Sequence, residues 1–256
     1  MTRDHAHASP WIIDLDGVMW LEGVAIAGSA DAVTRLLSAG HEVVFATNFS
    51  YAPVAVTEER LAAIGVDARG RVVTSAMAAA LLVEAGERVH VCGGPGIVEA
   101  VEARGGVVVT GRADTVIVGY DPAFDYDRLA AATTEVLGGA RLVGTNDDPT
   151  LPGPHGLRPG GGSLLAAVAY ASGTVPVVAG KPHEPMASLV RARVGEGGVV
   201  VGDRLDTDGG FAATLGVDFG LVLSGSTRAA PTAVEGVVPW RVADDLASLV
   251  GSVLQT

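Results

Sequence analysis

Short apolar runs alternate along the chain with longer stretches in which hydrophobic and polar residues recur at helical spacing. The apolar runs predict strands at 10–14, 42–46, 71–73, 89–92, 107–109, 115–118, 141–144, 176–179, 198–202 and 219–223. The stretches between them predict helices at 29–39, 57–64, 76–85, 95–104, 126–138, 162–172, 184–193 and 208–215. Strand–helix alternation of this kind indicates an α/β fold in which helices cover parallel sheets.

Polar or glycine-rich turns follow four of the predicted strands, and they read DLDG, TNFS, GKP and GDRLDTD. Ligands of open α/β sheets bind at the carboxyl ends of the strands, so we expect the chemistry in these turns. The segment 86–178 contains none of the four turns, although it has strands and helices of its own. We therefore expect a catalytic core formed by 1–85 and 179–256, with 86–178 as a compact inserted domain.

Composition and charge narrow the classes of partner and compartment. The chain has 256 residues, 48% of them hydrophobic, and can bury a large core. Its formal charge is −12 without a cluster of Lys or Arg, which disfavours nucleic acid and anionic membranes as partners. Cys92 is the only cysteine, and the opening MTRDHAHASP lacks the apolar segment of a secretory signal. We expect a cytoplasmic protein.

Four aspartates lie in two of the turns. Asp14 and Asp16 follow the apolar run that begins at Trp11, and Asp203 and Asp208 follow the run GVVVG. A carboxylate at the edge of a buried strand is costly unless it is paired or binds a metal ion. Four carboxylates at one sheet edge would repel one another unless a hard cation lay among them. Magnesium prefers oxygen ligands and often keeps a substrate phosphate among them, so we expect Mg²⁺ here.

The other two turns supply groups that suit a phosphate. Thr47 and Asn48 offer a hydroxyl, an amide side chain and backbone N–H groups for phosphate oxygens, and Lys181 adds a positive charge. Carboxylates for a metal, donors for oxygens and one lysine are typical of a phosphoryl-transfer site. Two alternatives stay open: Thr47 and Asn48 could simply end a strand, and Lys181 could be a solvated loop residue.

The segments DLDGV, TNFS, GKP and GDRLDTD, in this order, resemble the four motifs of the haloacid dehalogenase superfamily. Their spacing is similar to that of the NagD and p-nitrophenylphosphatase branch, in which a large cap is inserted between the second and third motifs. The resemblance continues through DTVIVGYD, LVGTNDDPTLP, GLRPGGGS and LVLSG, so it covers most of the chain. It implies a Rossmann-like parallel sheet as the core and an inserted α/β cap.

The resemblance also implies roles for the aspartates. Asp14 would be the nucleophile that forms an aspartyl-phosphate, and Asp16 the general acid and then the general base. Asp14, the backbone carbonyl of Asp16, and Asp203 would bind Mg²⁺, with Asp208 supporting them. Asp208 could in addition cap a helix. Gly17 lets the chain turn at once, which would set the carboxyl group of Asp16 beside the leaving-group oxygen.

In the same resemblance, Thr47 and the backbone of Asn48 would hold the phosphoryl oxygens, and Lys181 would neutralise charge on the nucleophile and the phosphate. One position departs from the pattern of the branch. Its second motif usually has two asparagines, and Phe49 stands where the second would be. A phenyl ring donates no hydrogen bond, so a polar contact there is lost. This puts the identity of the substrate in doubt more than the catalytic machinery.

The resemblance implies a Mg²⁺-dependent phosphomonoester hydrolase for a small phosphorylated metabolite, such as a sugar, glycerol or glycolate phosphate. Relatives in the branch commonly dimerise through the cap, so a homodimer is expected by analogy. Two other functions stay open on the same residues: a phosphotransferase or mutase, and a non-catalytic protein that binds a phosphorylated metabolite. An intact pair of Asp14 and Asp16 speaks against the pure binder, which has no use for both.

Two further segments carry lesser expectations. The glycines of VCGGPGIVEA, 91–100, follow a strand and open a helix, but Glu99 occupies the place of a third glycine, so we expect a tight turn rather than a dinucleotide site. In the branch, the stretch similar to 145–162 is a substrate-specificity loop. It makes Asn146, Asp147, His155 and Arg158 candidate selectors, with ordinary turn and surface positions as the alternative.

Overall fold

The computed structural model describes residues 9–153, 156–230 and 236–254. The chain divides into two compact units. The first comprises Met1–Thr47, Thr57–Val73 and Val190–Thr256, and the second comprises Asn48–Val56 and Thr74–Leu189. The boundaries inferred from the sequence, 1–85 with 179–256 around 86–178, stay a prediction.

A sheet of six strands, counted over the described residues, is the centre of the first unit. Its strands are β1 (Pro10–Ile13), β4 (Glu42–Thr47), β5 (Val72–Thr74), β13 (Val199–Gly202), β14 (Asp218–Val222) and β15 (Arg241–Ala243). They lie in the order β15-β14-β13-β1-β4-β5. The pairs from β15 to β4 are all parallel. Since β1 and β13 are continuous apolar runs whose central residues are fully buried, they suit the middle of a sheet covered on both faces.

The helices of the first unit follow the strands in the way an α/β fold requires. They are α1 (Ser29–Ser38), most of α2 (Val54–Ala63), the end of α7 (Glu184–Val194), a π-helical turn (Leu205–Gly209), α8 (Gly210–Leu215) and α9 (Leu246–Leu254). A short hairpin, β2 (Trp20–Leu21) with β3 (Val24–Ala25), comes directly after β1. The core of this unit includes Trp11, Phe45 and Phe211, none of which is measurably exposed.

The second unit contains its own parallel sheet. Its strands are β6 (Arg88–Cys92), β7 (Val107–Val108), β8 (Thr115–Val118), β9 (Arg141–Gly144) and β12 (Val177–Val178), in the order β12-β9-β8-β6-β7. Its helices are α3 (Ser75–Ala80), α4 (Pro95–Ala103), α5 (Tyr126–Leu137) and α6 (Gly161–Ser172). An antiparallel hairpin of β10 (Thr150–Gly153) and β11 (Gly156–Pro159) leads into α6. Val116, Val118 and Val168 belong to its buried core.

The predicted α/β class with parallel sheets is confirmed by these two units. The differences lie in short elements, because neither hairpin, nor β15, nor α9 is predicted from the sequence. The helix expected at 208–215 starts as a π-helical turn at Leu205, and the helix expected at 76–85 ends at Ala80. In the part of the chain that the structure describes, no helix is both long enough and apolar enough to span a membrane.

Candidate active site

The carboxylates of the first and last motifs meet at one edge of the first unit's sheet. Asp14 directly follows β1 and Asp203 directly follows β13, and these parallel strands are neighbours. One carboxylate oxygen from each of Asp14, Asp203 and Asp208 lies within 4.8 Å of the others. Two like charges about 4 Å apart repel by roughly 4 kcal/mol at an effective dielectric constant of about 20. A divalent cation among these oxygens removes that penalty, and an all-oxygen set of ligands fits Mg²⁺.

Local hydrogen bonds hold the backbone of Asp14 and the carboxylates of Asp203 and Asp208. The backbone N–H of Asp14 donates to the carbonyl oxygen of Val201 at 2.9 Å, which extends the pairing of β1 with β13 by one residue. The backbone N–H of Ser226 donates to Oδ2 of Asp203. The backbone N–H of Arg204 donates to Oδ2 of Asp208 at 3.2 Å. Asp203 and Asp208 are 3% and 1% exposed, so their carboxylates have little water to solvate them.

Two glycines leave room for Asp203. A Cβ built on Gly17 would lie 2.5 Å from Oδ2 of Asp203, and one on Gly225 would lie closer still. Gly17 also has a φ of +82°, a backbone conformation that side chains disfavour. Any larger residue at position 17 therefore displaces a carboxylate of the acidic cluster.

The side chain of Asp16 is exposed and is held from its own turn. Nε1 of Trp20 donates a hydrogen bond to Oδ1 of Asp16 at 2.9 Å. The backbone N–H of Gly17 donates to the carbonyl oxygen of Trp20 at 2.7 Å, which closes the turn. No role for Trp20 follows from the sequence. The spacing of Asp16 and Trp20 is a weak signal for a contact between them, because two side chains four residues apart meet here only if the chain reverses direction.

Thr47 lies at the same sheet edge as the acidic cluster. It is the last residue of β4, which pairs with β1 on the side opposite β13, and it is 2% exposed. The first unit thus brings Asp14, Thr47 and Asp203 to the carboxyl ends of three adjacent strands. This is the sheet edge at which open α/β folds bind ligands.

Asn48 and Lys181 belong to the second unit, where they are bonded to each other. Oδ1 of Asn48 accepts from the backbone N–H of Lys181 at 2.8 Å, and its Nδ2 donates to the carbonyl oxygen of Lys181 at 3.0 Å. Nδ2 also donates to Oδ2 of Asp148 at 2.9 Å. Lys181 is 2% exposed, so it is not a solvated loop lysine. The side-chain amide of Asn48 thus links two loops, a role that is not predicted from the sequence.

The candidate selectors of the 145–162 loop have different surroundings. Nδ2 of Asn146 donates to the carbonyl oxygen of Asn48 at 2.9 Å, so part of its side chain serves the loop itself. Oδ2 of Asp147 lies 3.0 Å from Nε2 of His183. Arg158 is exposed on β11. His155 lies outside the described residues.

Phe49, the departure from the motif pattern, belongs to a row of half-buried aromatic rings. Its ring centroid lies 6.5 Å from that of Tyr51, which in turn lies 6.0 Å from that of Tyr120. Aromatic contacts of this tilted kind are favourable beyond the area they bury. The ring of Phe49 therefore has an aromatic partner in Tyr51.

The glycines of 91–100 allow close packing of the backbone. A Cβ on Gly94 or Gly96 would collide with Tyr51 or Ala52, and the backbone N–H of Gly96 donates to the carbonyl oxygen of Tyr51 at 2.8 Å. Nearby Cys92 is 2% exposed, and burial raises the pKa of its thiol to about 11. A tight turn that receives the 50–52 segment accounts for these glycines, and the thiol is not activated.

Asp206 is the one acidic residue of GDRLDTD that has no part in the acidic cluster. Its carboxylate accepts hydrogen bonds from the guanidinium of Arg204, at 3.1 and 2.7 Å, and these hold the pKa of Asp206 below its usual value. The side chain of Asp206 is 73% exposed. Asp206 is therefore exposed to solvent, whereas Asp208, two residues later in the same turn, is buried.

Family models match both ends of the chain. A model described as haloacid dehalogenase-like hydrolase matches residues 11–106, and a second, HAD-hydrolase-like model matches residues 178–249. The chain is 31% identical over 253 residues to an acid sugar phosphatase of Staphylococcus saprophyticus, covering 94% of this chain and 96% of that protein.

Two solved structures extend the comparison. A glycerol phosphate phosphatase from Mycobacterium tuberculosis in complex with magnesium is 32% identical and superposes with a TM-score of 0.89 over 97% of this chain and 78% of that one. A 4-nitrophenylphosphatase from Thermotoga maritima is 28% identical, with a TM-score of 0.88 over 97% and 98% of the two chains.

Proposed function

Because the chain belongs to the haloacid dehalogenase-like hydrolases, in the NagD and p-nitrophenylphosphatase-like branch, we propose that this phosphatase hydrolyses a small phosphorylated metabolite with the help of Mg²⁺. The observation that carries the proposal is the acidic cluster, in which oxygens of Asp14, Asp203 and Asp208 lie within 4.8 Å of one another. Such a cluster is costly without a cation and suits a phosphate site with one.

In the proposed first half-reaction, a carboxylate oxygen of Asp14 attacks the phosphorus atom as the bond to the leaving oxygen breaks. Asp16 gives its proton to that oxygen, and the alcohol departs. In the second half-reaction, Asp16 takes a proton from water, whose oxygen attacks the aspartyl-phosphate and releases phosphate and Asp14. Asp14, the backbone carbonyl of Asp16, and Asp203 would hold Mg²⁺, with Asp208 supporting them; the ion would supply positive charge at the transferring oxygens.

We give Thr47, Asn48 and Lys181 the phosphate-binding roles that the family resemblance implies. The hydroxyl of Thr47 and the backbone N–H of Asn48 would donate to phosphoryl oxygens, and the ammonium of Lys181 would offset their charge. Two observations support these roles. Thr47 lies at the sheet edge that carries Asp14, and the side chain of Asn48 is bonded to the backbone of Lys181, which fixes one end of that lysine.

The names of the relatives support a small polyol or sugar as the leaving group. Since one of them is an acid sugar phosphatase and another a glycerol phosphate phosphatase, we place the substrate among sugar, glycerol and glycolate phosphates. The charge of −12 supports a metabolite rather than a nucleic acid or a membrane as the partner. The single cysteine supports a cytoplasmic location.

We also propose that the protein forms a homodimer through the inserted domain. Tyr170, Val175 and Val177 are 93%, 90% and 53% exposed, and Val177 belongs to β12, which is an edge strand of this sheet in the described part of the chain. Sedimentation of the wild type and of Val175→Glu tests this. We expect a dimer that the substitution weakens, whereas a wild type that sediments as a monomer contradicts the proposal.

Phosphate release from a panel of phosphate esters tests the function. We expect Mg²⁺-dependent release from sugar, glycerol or glycolate phosphate and from p-nitrophenyl phosphate, loss of release with EDTA, and recovery when Mg²⁺ is added back. Asp14→Asn should abolish turnover but leave binding of the ester intact. Unchanged release from Asp14→Asn, or indifference to the metal, contradicts the proposal. Transfer to a second alcohol instead of water would identify a mutase, and binding without any release would identify a non-catalytic protein.

A further inference from the structure

Trp20 makes one specific hydrogen bond with a reacting group. Its indole is 3% exposed, and Nε1 donates to Oδ1 of the exposed Asp16 at 2.9 Å. An indole N–H donates and never accepts, so it distinguishes the two oxygens of the carboxyl group. Oδ1 is the oxygen that accepts from Trp20.

The indole is itself fixed from several directions. The backbone N–H of Trp20 donates to the carbonyl oxygen of Leu15 at 3.2 Å, and its carbonyl oxygen accepts from Gly17. Trp20 also pairs with Ala25 in the β2–β3 hairpin. A residue buried and bonded in this way keeps its rotamer, which is what a group that orients another group requires.

Arg60 covers the same indole. Its guanidinium carbon lies 4.3 Å from the ring centroid of Trp20, within the range of a cation–π contact. The exposed Arg60 therefore shields the ring and draws electron density toward its face, which favours donation by the N–H. Trp20 thus contacts Asp16 through its N–H and Arg60 through the face of its ring.

We propose that Trp20 is a positioning residue for Asp16, an inference that rests on the general acid–base role of Asp16 in the proposed function. The hydrogen bond from Trp20 to Oδ1 limits the rotation of the carboxyl group, and in this proposal Oδ2 carries the proton. As the bond between phosphorus and the leaving oxygen breaks, the proton moves from Oδ2 to that oxygen. In the second half-reaction Oδ2 takes a proton from water as the water oxygen bonds to phosphorus. Trp20 exchanges no proton and touches no substrate.

This role predicts an effect that depends on the leaving group. An alkoxide such as that of glycerol needs a proton in order to leave, whereas p-nitrophenolate leaves without one. Losing the orientation of Asp16 should therefore slow the first half-reaction of alkyl phosphates and spare p-nitrophenyl phosphate. A general defect in folding or metal binding would reduce both reactions equally.

The experiment measures kcat/KM with Mg²⁺ for glycerol phosphate and p-nitrophenyl phosphate. It compares the wild type with Trp20→Phe and with a variant that carries benzothienylalanine at position 20, which keeps the shape of the indole but has no N–H. We expect kcat/KM for glycerol phosphate to fall by about 10- to 100-fold. For p-nitrophenyl phosphate we expect it to stay within about threefold. Equal losses on both esters, or wild-type rates for both from the benzothienylalanine variant, overturn the inference.

Trp11→Phe is the matched control. Trp11 is another fully buried tryptophan of the first unit, and its Nε1 has no hydrogen-bond partner among the described residues. This variant loses the same atoms from a buried ring but no hydrogen bond, so the ratio between the two esters should not change. Asp16→Asn distinguishes a failure of the proposed role of Asp16 from a failure of the inference about Trp20. If it keeps wild-type activity on glycerol phosphate, the proposed role of Asp16 fails; if it is inactive while Trp20 variants are normal, only the inference about Trp20 fails.

Discussion

At the scale of single residues, Gly17 is where the geometry of the site is most sensitive. It lies between the turn that carries Asp16 and the carboxylate of Asp203, with a left-handed φ of +82° and 2.5 Å between its virtual Cβ and Oδ2 of Asp203. Two separate constraints therefore act on it, one on the backbone and one on the space for a side chain.

Gly17→Ala should cost both stability and metal-dependent activity. The left-handed conformation alone costs a side chain about 1–2 kcal/mol, and the methyl group also displaces Asp203. Gly23→Ala is the control, because Gly23 has a φ of +83° but nothing within 4 Å of its virtual Cβ. We expect similar losses of unfolding free energy from the backbone, but loss of phosphate release and of Mg²⁺ affinity only in Gly17→Ala. Full activity of Gly17→Ala would show that Asp203 tolerates displacement.

Residue types and order predict which side chains lie at the sheet edge, but not how each is held. The order of the motifs predicts that Asp14, Asp203 and Asp208 meet, and the structure brings their oxygens together. It does not predict the bond from Trp20 to Asp16, because that contact depends on the turn closed by Gly17. The hydrogen bonds between the side chain of Asn48 and Lys181 are not predicted either, because the two residues are 133 positions apart in the sequence.

At the scale of elements, Asn48 joins the loop after β4 to two other loops of the second unit. Asn48→Ala removes two hydrogen bonds to the backbone of Lys181 and one to Asp148. We expect a loss of roughly 1–3 kcal/mol in unfolding free energy, since buried partners are left unsatisfied. We also expect at least a tenfold fall in kcat/KM. Asp148→Ala, which leaves both bonds between Asn48 and Lys181 in place, should have the smaller effect on kcat/KM, and an equal fall would show that the bond to Asp148 is the important one.

The start of β6 predicts a dependence of stability on acid. Burial raises the pKa of Glu87, but hydrogen bonds from Thr115, from the backbone of Glu84 and from Arg141 outweigh it, so its pKa lies below the ordinary 4.5. A lowered pKa in the folded state means that the unfolded chain binds more protons. The stabilisation is therefore complete above about pH 4.5 and is lost as the pH falls through the lower, folded value.

Glu87→Gln should remove this stabilisation. We expect it to lower the unfolding free energy by roughly 1–3 kcal/mol at pH 7, and the difference from the wild type should shrink as the pH drops below about 4.5. Urea unfolding at pH 7, 5, 4 and 3 measures both. Glu84→Gln, at an exposed position three residues earlier, is the control and should follow the wild type. A difference that does not depend on pH would argue against the hydrogen-bonded carboxylate as its source.

Most long elements follow from periodicity, and the exceptions have physical reasons. The strands β1, β8 and β13 are apolar runs that become buried strands, as expected. The β2–β3 hairpin has strands of two residues, too short for a periodic signal, and its turn depends on positive φ values at Glu22 and Gly23. The helix α9 reads LASLVGSVL, which lacks the charged face that marks a surface helix.

At the scale of the whole molecule, binding of Mg²⁺ should raise thermal stability. An ion that binds only the folded protein stabilises it by about 2.7 kcal/mol at a concentration of about 100 Kd, which corresponds to a shift in Tm of roughly 5–10 °C. We expect this rise in the wild type and its loss in Asp203→Asn. Asp206→Asn is the control from the same turn and should keep the rise, because the carboxylate of Asp206 is exposed and bonded to Arg204. A rise that survives Asp203→Asn contradicts the metal assignment.

The segment 48–56 has a consequence for how the second unit could be exchanged between relatives. Gly94 and Gly96 leave a concavity that Tyr51 and Ala52 fill, and these two residues precede the continuous part of the unit, Thr74–Leu189. A chimera that transfers 74–189 alone would pack Gly94 and Gly96 against the 51–52 segment of a different protein, whose side chains need not fit them. A chimera that keeps this packing must therefore carry both pieces of chain, 48–56 and 74–189, so that two junction pairs have to be joined instead of one.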